Sequence, residues 1–320
     1  MTVLPQNWMR EIGTTGIVTS AVIAGGSPLG TMLGIYGYEV SSHDAVGFVG
    51  NLLSSPIRAI DTSNNYSDGE SERRIGAAIA ASGGMPPDFS VFTKVDARDG
   101  DFSGDRVRAS LDESLDRLGL DTVPLLFLHD PDQHSFDLLT EPGGAVETLV
   151  ALKAEGRVAH IGLASGHVHE ASRYLELGVF EVVLNHSRYT LVDRSAGALF
   201  DQATAAGIGV INAAIYGGGI LANPHGSTTY GYSAASRTVL QAVHAMDAVC
   251  ARNGTDLATA ALQFSLKDPR ISATVVGFTK AARIDKLITA ATTSLPEQVW
   301  EELDALVPSE EHWLDFDAVR

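Results

Sequence analysis

The 320-residue chain holds a single cysteine, Cys250. An intrachain disulfide and a cysteine metal cluster are both excluded. The apolar helical pattern around Cys250 reads as a core thiol. Positive charge is also scarce: 22 Lys and Arg stand against 39 Asp and Glu, a net charge of −17. That leaves no basic field for a phosphate backbone, so no nucleic-acid partner is expected. A locally basic dinucleotide pocket stays compatible with the total. Long apolar runs are missing as well. The longest weakly polar run, residues 207–222, is glycine-rich and interrupted by Asn212, too short and broken for a bilayer. Residues 1–16 lack the apolar core of a signal peptide. A soluble, cytoplasmic protein with no membrane partner is expected. No Gly-x-Gly-x-x-Gly turn follows an early strand, which deprives a doubly wound sheet, the alternative architecture, of its sequence support.

What the chain does hold is a series of short, continuously apolar runs. They cover 17–24, 57–60, 89–93, 124–128, 158–164, 179–184, 208–215 and 273–276. Continuous apolarity marks strands buried on both faces, as in parallel sheets. Helical patterns follow at 42–53, 70–82, between a Ser103 cap and a closing Gly119, and at 142–155, 167–177, 192–206, 238–252, 256–267 and 280–291. Eight strand–helix units without a composition break predict an α/β fold, a (β/α)8 TIM barrel forming a single domain over 1–320. An extra C-terminal helix is predicted at 296–306, and a polar loop of lid length at 222–237. Residues 1–16 read as a lead-in without period. Residues 25–30 read as a loop whose glycines serve either a turn or close approach to a ligand. The tail from 311 carries Trp313 and Phe316 without a clear period.

Three of the apolar runs end in residues with chemistry. Asp61 closes one, Lys94 the next and His129 the third, while Tyr66 lies in the loop after Asp61. In a parallel barrel these strand ends share one face, where ligand sites form. Tyrosine's ordinary pKa of ~10 is too high for ready proton exchange at neutral pH. A neighbouring lysine favours the phenolate, and a carboxylate paired to that lysine holds it in place. A histidine can hydrogen-bond a substrate oxygen. A strand-end Asp alone is most often a cap and a single Lys most often solvated. Four types recurring in order at equivalent positions point instead to proton transfer on a carbonyl/alcohol couple.

The same residues resemble the aldo-keto reductase family. Asp61-Thr62-Ser63-Asn64-Asn65-Tyr66 followed by Ser71-Glu72-Arg73-Arg74-Ile75-Gly76 is similar to its first signature. Phe92-Thr93-Lys94, Leu126-Phe127-Leu128-His129 and Glu155-Gly156-Arg157-Val158-Ala159-His160-Ile161-Gly162 resemble later ones. The resemblance spans about residues 17–290. It implies a barrel that binds a nicotinamide dinucleotide without a Rossmann motif. It implies Tyr66 as general acid/base, Lys94 as its partner, Asp61 as the holder of Lys94, and His129 as the group orienting the substrate oxygen. Glu72-Arg73-Arg74, His129-Asp130-Pro131-Asp132, Arg188-Tyr189-Thr190-Leu191, Gly217-Gly218-Gly219-Ile220-Leu221 and Leu295-Pro296 before Trp300 are similar to the branch oxidising aldoses at C1, the D-threo-aldose and L-fucose dehydrogenases. Pyridoxal-oxidising dehydrogenases share parts of this pattern. The family's Ser-Asn for the nicotinamide amide corresponds to Ala164-Ser165, and its sixth-strand Gln to Asn185 or His186. Gly277 stands where a lysine often meets the 2′-phosphate, with Lys280 nearby and Arg283 at a family arginine. The expected cofactor is NAD or NADP, tilted toward NAD. The expected partner is a small sugar or other carbonyl/alcohol substrate, with the chain a monomer or homodimer.

Several readings compete. Asp130, Asp132 and His134 beside His129 have metal-ligand types, but the proline and loop setting favour a turn, and no metal is expected. His167 and His169 read as a helix start. Arg73 and Arg74 read as surface residues paired with acids at helical spacing. Tyr216 and Tyr230 are candidates to stack on cofactor or substrate. Three function classes follow: a sugar C1 dehydrogenase, a pyridoxal-type dehydrogenase or carbonyl reductase on the same tetrad, and a cofactor-sensing non-catalytic subunit.

Overall fold

In the computed structural model, which describes residues 4, 5, 7–31, 34 and 37–316, the apolar runs pair as parallel strands. In chain order the elements are β1 (Met9–Glu11), β2 (Val18–Ser20), β3 (Val22–Gly25), α1 (Ser42–Leu53), β4 (Ala59–Asp61), α2 (Glu70–Ala81), β5 (Ser90–Val95) and α3 (Gly104–Leu118). Next come β6 (Val123–His129), α4 (Phe136–Thr140), α5 (Ala145–Ala154), β7 (Val158–Ser165), α6 (Val168–Leu175), β8 (Val182–His186), α7 (Gly197–Ala205) and β9 (Gly209–Ala213). The chain ends with β10 (Thr229–Tyr230), β11 (Ser233–Ala234), α8 (Arg237–Arg252), α9 (Leu257–Lys267), β12 (Ile271–Gly277), α10 (Ala282–Thr292) and α11 (Glu297–Asp304). Eight strands, β3 to β9 and then β12, close into a barrel in sequence order. This is the predicted (β/α)8 architecture.

Alternation along each strand separates two apolar layers. Ile23, Ala59, Phe92, Leu125, Phe127, Leu184 and Ile211 pack together inside the barrel. Their neighbours Val22, Ile60, Val91, Leu126 and Val183 face outward and join the helices in a larger core. A strand buried on both faces has no polar side, which is why the runs are continuously apolar. The inward positions continue upward into Asp61, Lys94, His129 and His186, so the site stands on the floor that this packing builds.

Helix starts follow local chemistry. Ser41, Ser103, Ser236 and Asp256 each accept the backbone N–H three residues on, satisfying a donor that the first turn leaves open. Gly119 ends α3 with φ 66°, a left-handed geometry that suits glycine. Gly76 has a packing reason. A Cβ there would collide with the Arg117 carbonyl, so α2 and α3 approach as closely as they do only because position 76 has no side chain.

The structure departs from the sequence reading in places. Within the lead-in, whose residues 1–3 and 6 lie outside the described residues, β1 pairs antiparallel with β2. Ile12 then enters the barrel interior and closes its N-terminal end. The run at 17–24 therefore serves two strands, broken at Ala21, whose N–H donates to the Trp8 carbonyl at 2.6 Å. The helix at 142–155 begins three residues later, after Gly143 at φ 78°, and a separate short helix, α4, precedes it. The helix at 192–206 begins at Gly197, because Thr190 and Asp193 form a bridge first. The 222–237 loop contains the two-residue β10–β11 ladder. The tail is ordered through Asp315. Its Oδ2 accepts the Val168 N–H at 2.7 Å and its Oδ1 the Arg188 Nε at 3.1 Å, while residues 317–320 lie outside the described range. No described helix is long and apolar enough to cross a membrane.

Candidate active site

Lys94 is the hub of the barrel mouth. Its side chain is 1% exposed. Nζ donates to Asp61 Oδ1 at 2.7 Å, to the Thr62 carbonyl at 2.6 Å and to Tyr66 Oη at 3.1 Å. An ammonium has three donors, and here each meets an oxygen. Burial pushes the Asp61 carboxyl above its ordinary range, with the Lys94 charge and hydrogen bond pulling the other way. Asp61 Oδ2 has no partner among the described residues, so Lys94 is the charge that keeps this carboxylate tolerable in the interior. The loop carrying Tyr66 is held from below. Arg117 Nη1 donates to the Asn64 carbonyl at 2.9 Å and to buried Glu72 at 3.1 Å. Glu72 also accepts the Thr93 hydroxyl at 2.6 Å. Glu72 thus acts as a buttress beneath the tyrosine loop, tying it to the strand that carries Lys94.

His129 faces Tyr66 from the next strand, the rings edge-to-face with centroids 5.6 Å apart. Two residues missed from sequence, Asp96 and Ser63, set this histidine. His129 Nδ1 lies 2.6 Å from Asp96 Oδ1 and 3.1 Å from Ser63 Oγ. Asp96 is two residues beyond Lys94, just past the end of β5, so continued alternation places both on one side; that spacing was the available signal. Burial opposes ionisation of Asp96, yet the His129 charge and hydrogen bonds from His129, Ser63 and the Asn65 N–H outweigh it and hold the carboxyl below its ordinary range. Burial likewise opposes the His129 cation, yet Asp96 and Asp130 outweigh it and raise the imidazole above its ordinary value. The pair's stabilisation is therefore present between the two unperturbed values, 3.8 and 6.5. It is lost as pH falls through the depressed Asp96 value and as it rises through the raised His129 value.

Beyond His129 the mouth is lined by Asp130, His186 and Tyr232. Asp130 Oδ2 is 3.7 Å from His129 Nε2, and its Oδ1 is 3.9 Å from His186 Nε2. Burial opposes ionisation of Asp130, but the two histidines and Lys94 hold its carboxyl far below the ordinary range. Its φ of 42° is left-handed, a conformation costing a non-glycine residue about 1–3 kcal/mol and concentrated at functional sites. Tyr232, at the tip of the 222–237 loop, stands edge-on to His186 at 5.8 Å. At position 166 a Cβ would press on the His186 ring and on the Arg188 guanidinium, so a larger residue there would displace these side chains from the mouth.

The other sequence candidates divide. Ser165 donates its hydroxyl to Asp132 at 2.9 Å. Asn185 turns outward and donates to the Ser165 and Gly166 carbonyls at 2.8 and 2.9 Å. His186, one residue on, turns into the mouth. Tyr230 is buried packing, its hydroxyl donating to the Ser187 carbonyl at 2.6 Å; Tyr232 is the loop tyrosine at the mouth. Tyr216 lies between the barrel core and the α8–α9 core, and burial raises its hydroxyl above the ordinary range, with Asp256 adding to the rise. Gly277 ends β12 on the inner side of the wall, while Lys280 and Arg283 lie just outside and are exposed. Lys280 lines a cavity of about 470 Å³ with Val40, His43, Phe48 and Thr279. Arg74 pairs with Glu70 at 3.6 Å as its helical spacing predicts, but it is largely covered rather than exposed. It donates to the Leu29 and Val40 carbonyls and ties the chain between them, whereas Arg73 pairs with Glu70 at the surface as expected. Among the described residues no His, Cys, Asp or Glu side chains gather as a metal-binding group.

Comparison with known proteins decides the family. The model of the Aldo/keto reductase family matches residues 28–308. The chain belongs to the aldo/keto reductase family. This aldo/keto reductase is 31% identical over 308 residues to L-galactose dehydrogenase of Arabidopsis thaliana, covering 93% of this chain and 94% of that one. It is 29% identical over 277 residues to D-threo-aldose 1-dehydrogenase of a Pseudomonas species, covering 77% and 83%. Its fold matches the holo form of aldo-keto reductase AKR11C1 from Bacillus halodurans with a TM-score of 0.77 at 20% identity, covering 94% and 96%. It is an oxidoreductase of a family that works with nicotinamide cofactors. The mouth fits such a group: His186 Nδ1 is buried there without a partner among the described residues, and an unmet ring nitrogen suits the carboxamide of a nicotinamide.

Proposed function

We propose that this aldo/keto reductase oxidises an aldose at C1 to its lactone, with NAD or NADP as hydride acceptor. The observation that carries the sugar reading is Asp130. Its ionised carboxylate is strained into place beside His129, and it supplies acceptor oxygens where hydroxyls neighbouring C1 would arrive. A site built to pair buried polar groups with substrate hydroxyls rejects analogues lacking them.

In this reading the residues of the tetrad divide the work. The bound nicotinamide supplies the carbon that receives the hydride. As the C1–H bond breaks with its electron pair, Tyr66 takes the hydroxyl proton and the C1–O bond becomes a carbonyl. Lys94, 3.1 Å from Tyr66 Oη, stabilises the phenolate that accepts this proton. Asp61 fixes the ammonium, and His129 addresses the same substrate oxygen. His186, from inside the mouth, would hold the carboxamide, with Asn185 behind it fixing the Ser165 and Gly166 carbonyls. Ser165 and Tyr216 border the dinucleotide path, and Lys280 and Arg283 offer cations to its adenosine end. Gly277 brings no charge to a 2′-phosphate, which supports the tilt toward NAD.

A second reading, a pyridoxal-type dehydrogenase, draws support from the edge-to-face His186–Tyr232 pair, an apolar wall suited to a flat ring. The substitution Asp130→Asn separates the two. Charge-assisted hydrogen bonds are worth about 1.5–3 kcal/mol. At a pH low enough that His129 stays cationic in both proteins, the sugar reading predicts that kcat/KM for L-galactose falls about 10- to 100-fold, while that for a simple aldehyde without neighbouring hydroxyls falls less than about 3-fold. Equal losses on both substrates would remove Asp130 from sugar recognition.

A further inference from the structure

We propose that Asp96 is a positioning residue that fixes the tautomer of His129, so that His129 Nε2 carries a proton only when the ring is cationic. The inference rests on the reading that His129 addresses the substrate oxygen. It goes beyond the tetrad because it concerns the far side of the imidazole.

The argument is one of counting donors. The Asp96 carboxylate is ionised and only accepts. Its Oδ2 accepts the Ser63 hydroxyl in a short hydrogen bond and the Asn65 N–H at 2.9 Å. The Ser63 hydrogen is therefore directed at Asp96 and cannot also be given to His129. Nδ1 then faces acceptors alone: Asp96 Oδ1 at 2.6 Å and the remaining lone pairs of Ser63 Oγ at 3.1 Å. A bare Nδ1 there would set lone pair against lone pair. Nδ1 must carry the proton, and the partner of one ring nitrogen determines the state of the other. A neutral His129 thus has a bare, accepting Nε2. Only the imidazolium offers an Nε2–H to a substrate oxygen.

The surroundings support a cation over a wide pH range. Asp96 just after β5 and Asp130 after β6 face the ring and favour its charge, while Lys94 on β5 opposes it. Asp61 on β4 lies behind Lys94, Tyr66 meets the ring edge-to-face, and His186 on β8 lies beyond Asp130. Ser110 Oγ accepts the Asp96 backbone N–H at 3.1 Å, which fixes the strand end on which the carboxylate is carried. The substrate oxygen therefore meets a charged donor whose presence depends on pH, rather than a permanent neutral one.

Asp96→Asn should invert this arrangement. The Asn65 N–H and the Ser63 hydroxyl require an acceptor, so the amide oxygen takes the Oδ2 place and the amide nitrogen faces His129. Its N–H then donates to Nδ1, which places the proton of the neutral ring on Nε2 and, with the Asp96 charge gone, disfavours the cation. The donor persists but loses its charge. In reduction of D,L-glyceraldehyde, the wild-type to variant ratio of kcat/KM should be about 10 at low pH, the difference between a charged and a neutral hydrogen bond. The ratio should then fall about tenfold per pH unit above the His129 break, since only the wild type loses its donor there. Taking the ratio cancels the titration of Tyr66, common to both. A ratio that stays flat with pH would show a merely structural role and overturn the proposal. A second measurement needs neither a variant nor turnover. Nitrogen NMR of the ring of His129 in the wild-type protein should show, in its neutral form, a protonated Nδ1 and a bare Nε2. The opposite assignment would overturn the proposal even if the enzyme oxidises sugars, and the expected one would stand even if it does not.

Discussion

Tyr66→Phe is expected to lose at least ~100-fold of turnover, the lower end for removing a positioned general acid/base, with cofactor affinity retained. The hydroxyl is the one atom removed, and it is the atom that Lys94 Nζ approaches at 3.1 Å. The phenyl ring can keep its edge-to-face contact with His129, so the loop has no reason to move. Cofactor binding followed by quenching of protein fluorescence should match the wild type. Retained turnover in this variant would remove Tyr66 from proton transfer, and with it the proposed tetrad.

Lys94→Met should be the most damaging substitution in both stability and activity. Asp61 is 4% exposed and Lys94 is its only ion-pair partner among the described residues. Removing one member of a buried pair leaves an uncompensated charge and costs about 3–5 kcal/mol. A domain's total stability is about 5–15 kcal/mol, so this loss is a large share of it. Turnover should fall by about 100- to 10,000-fold, since the phenolate loses its cation. The double variant Asp61→Asn with Lys94→Met tests the cause. It removes the stranded charge, so the urea midpoint should recover substantially while turnover stays low. A midpoint no higher than that of Lys94→Met would show that the loss comes from packing rather than from charge.

The cluster of Asp61, Tyr66, Lys94 and His129 was legible because three of the four close apolar runs and Tyr66 lies in the loop just past one of them. Burial on both faces makes a parallel strand continuously apolar, so a polar residue at its C-terminal end stands out. The same reading stopped one step short of Asp96. It ended the strand at residue 93 with Lys94 beyond it, whereas β5 runs to Val95 and alternation carries Asp96 to the same side. Ser63 stood inside a recognised motif, but its role depends on which oxygen its hydrogen meets, and only geometry decides that. Arg74 does pair with Glu70 at helical spacing, but its further ties to the carbonyls of Leu29 and Val40 come from a loop that has no period and could not be read from the sequence. Tyr232 and His186 meet through a loop conformation at φ 69°, and no pattern in the sequence distinguishes Tyr232 from Tyr230. The β1–β2 hairpin has strands of three residues, too short to show alternation.

The chain's place in the aldo/keto reductase family and the closed barrel leave the substrate as the central claim. The most direct measurement is reduction of NAD and NADP, followed at the nicotinamide absorbance, across L-galactose, L-fucose, D-arabinose, pyridoxal and simple alcohols. The sugar reading predicts strong signal with at least one aldose, a lactone as product, and better use of NAD than NADP. Turnover of pyridoxal or a simple alcohol with none of the aldoses oxidised would contradict it.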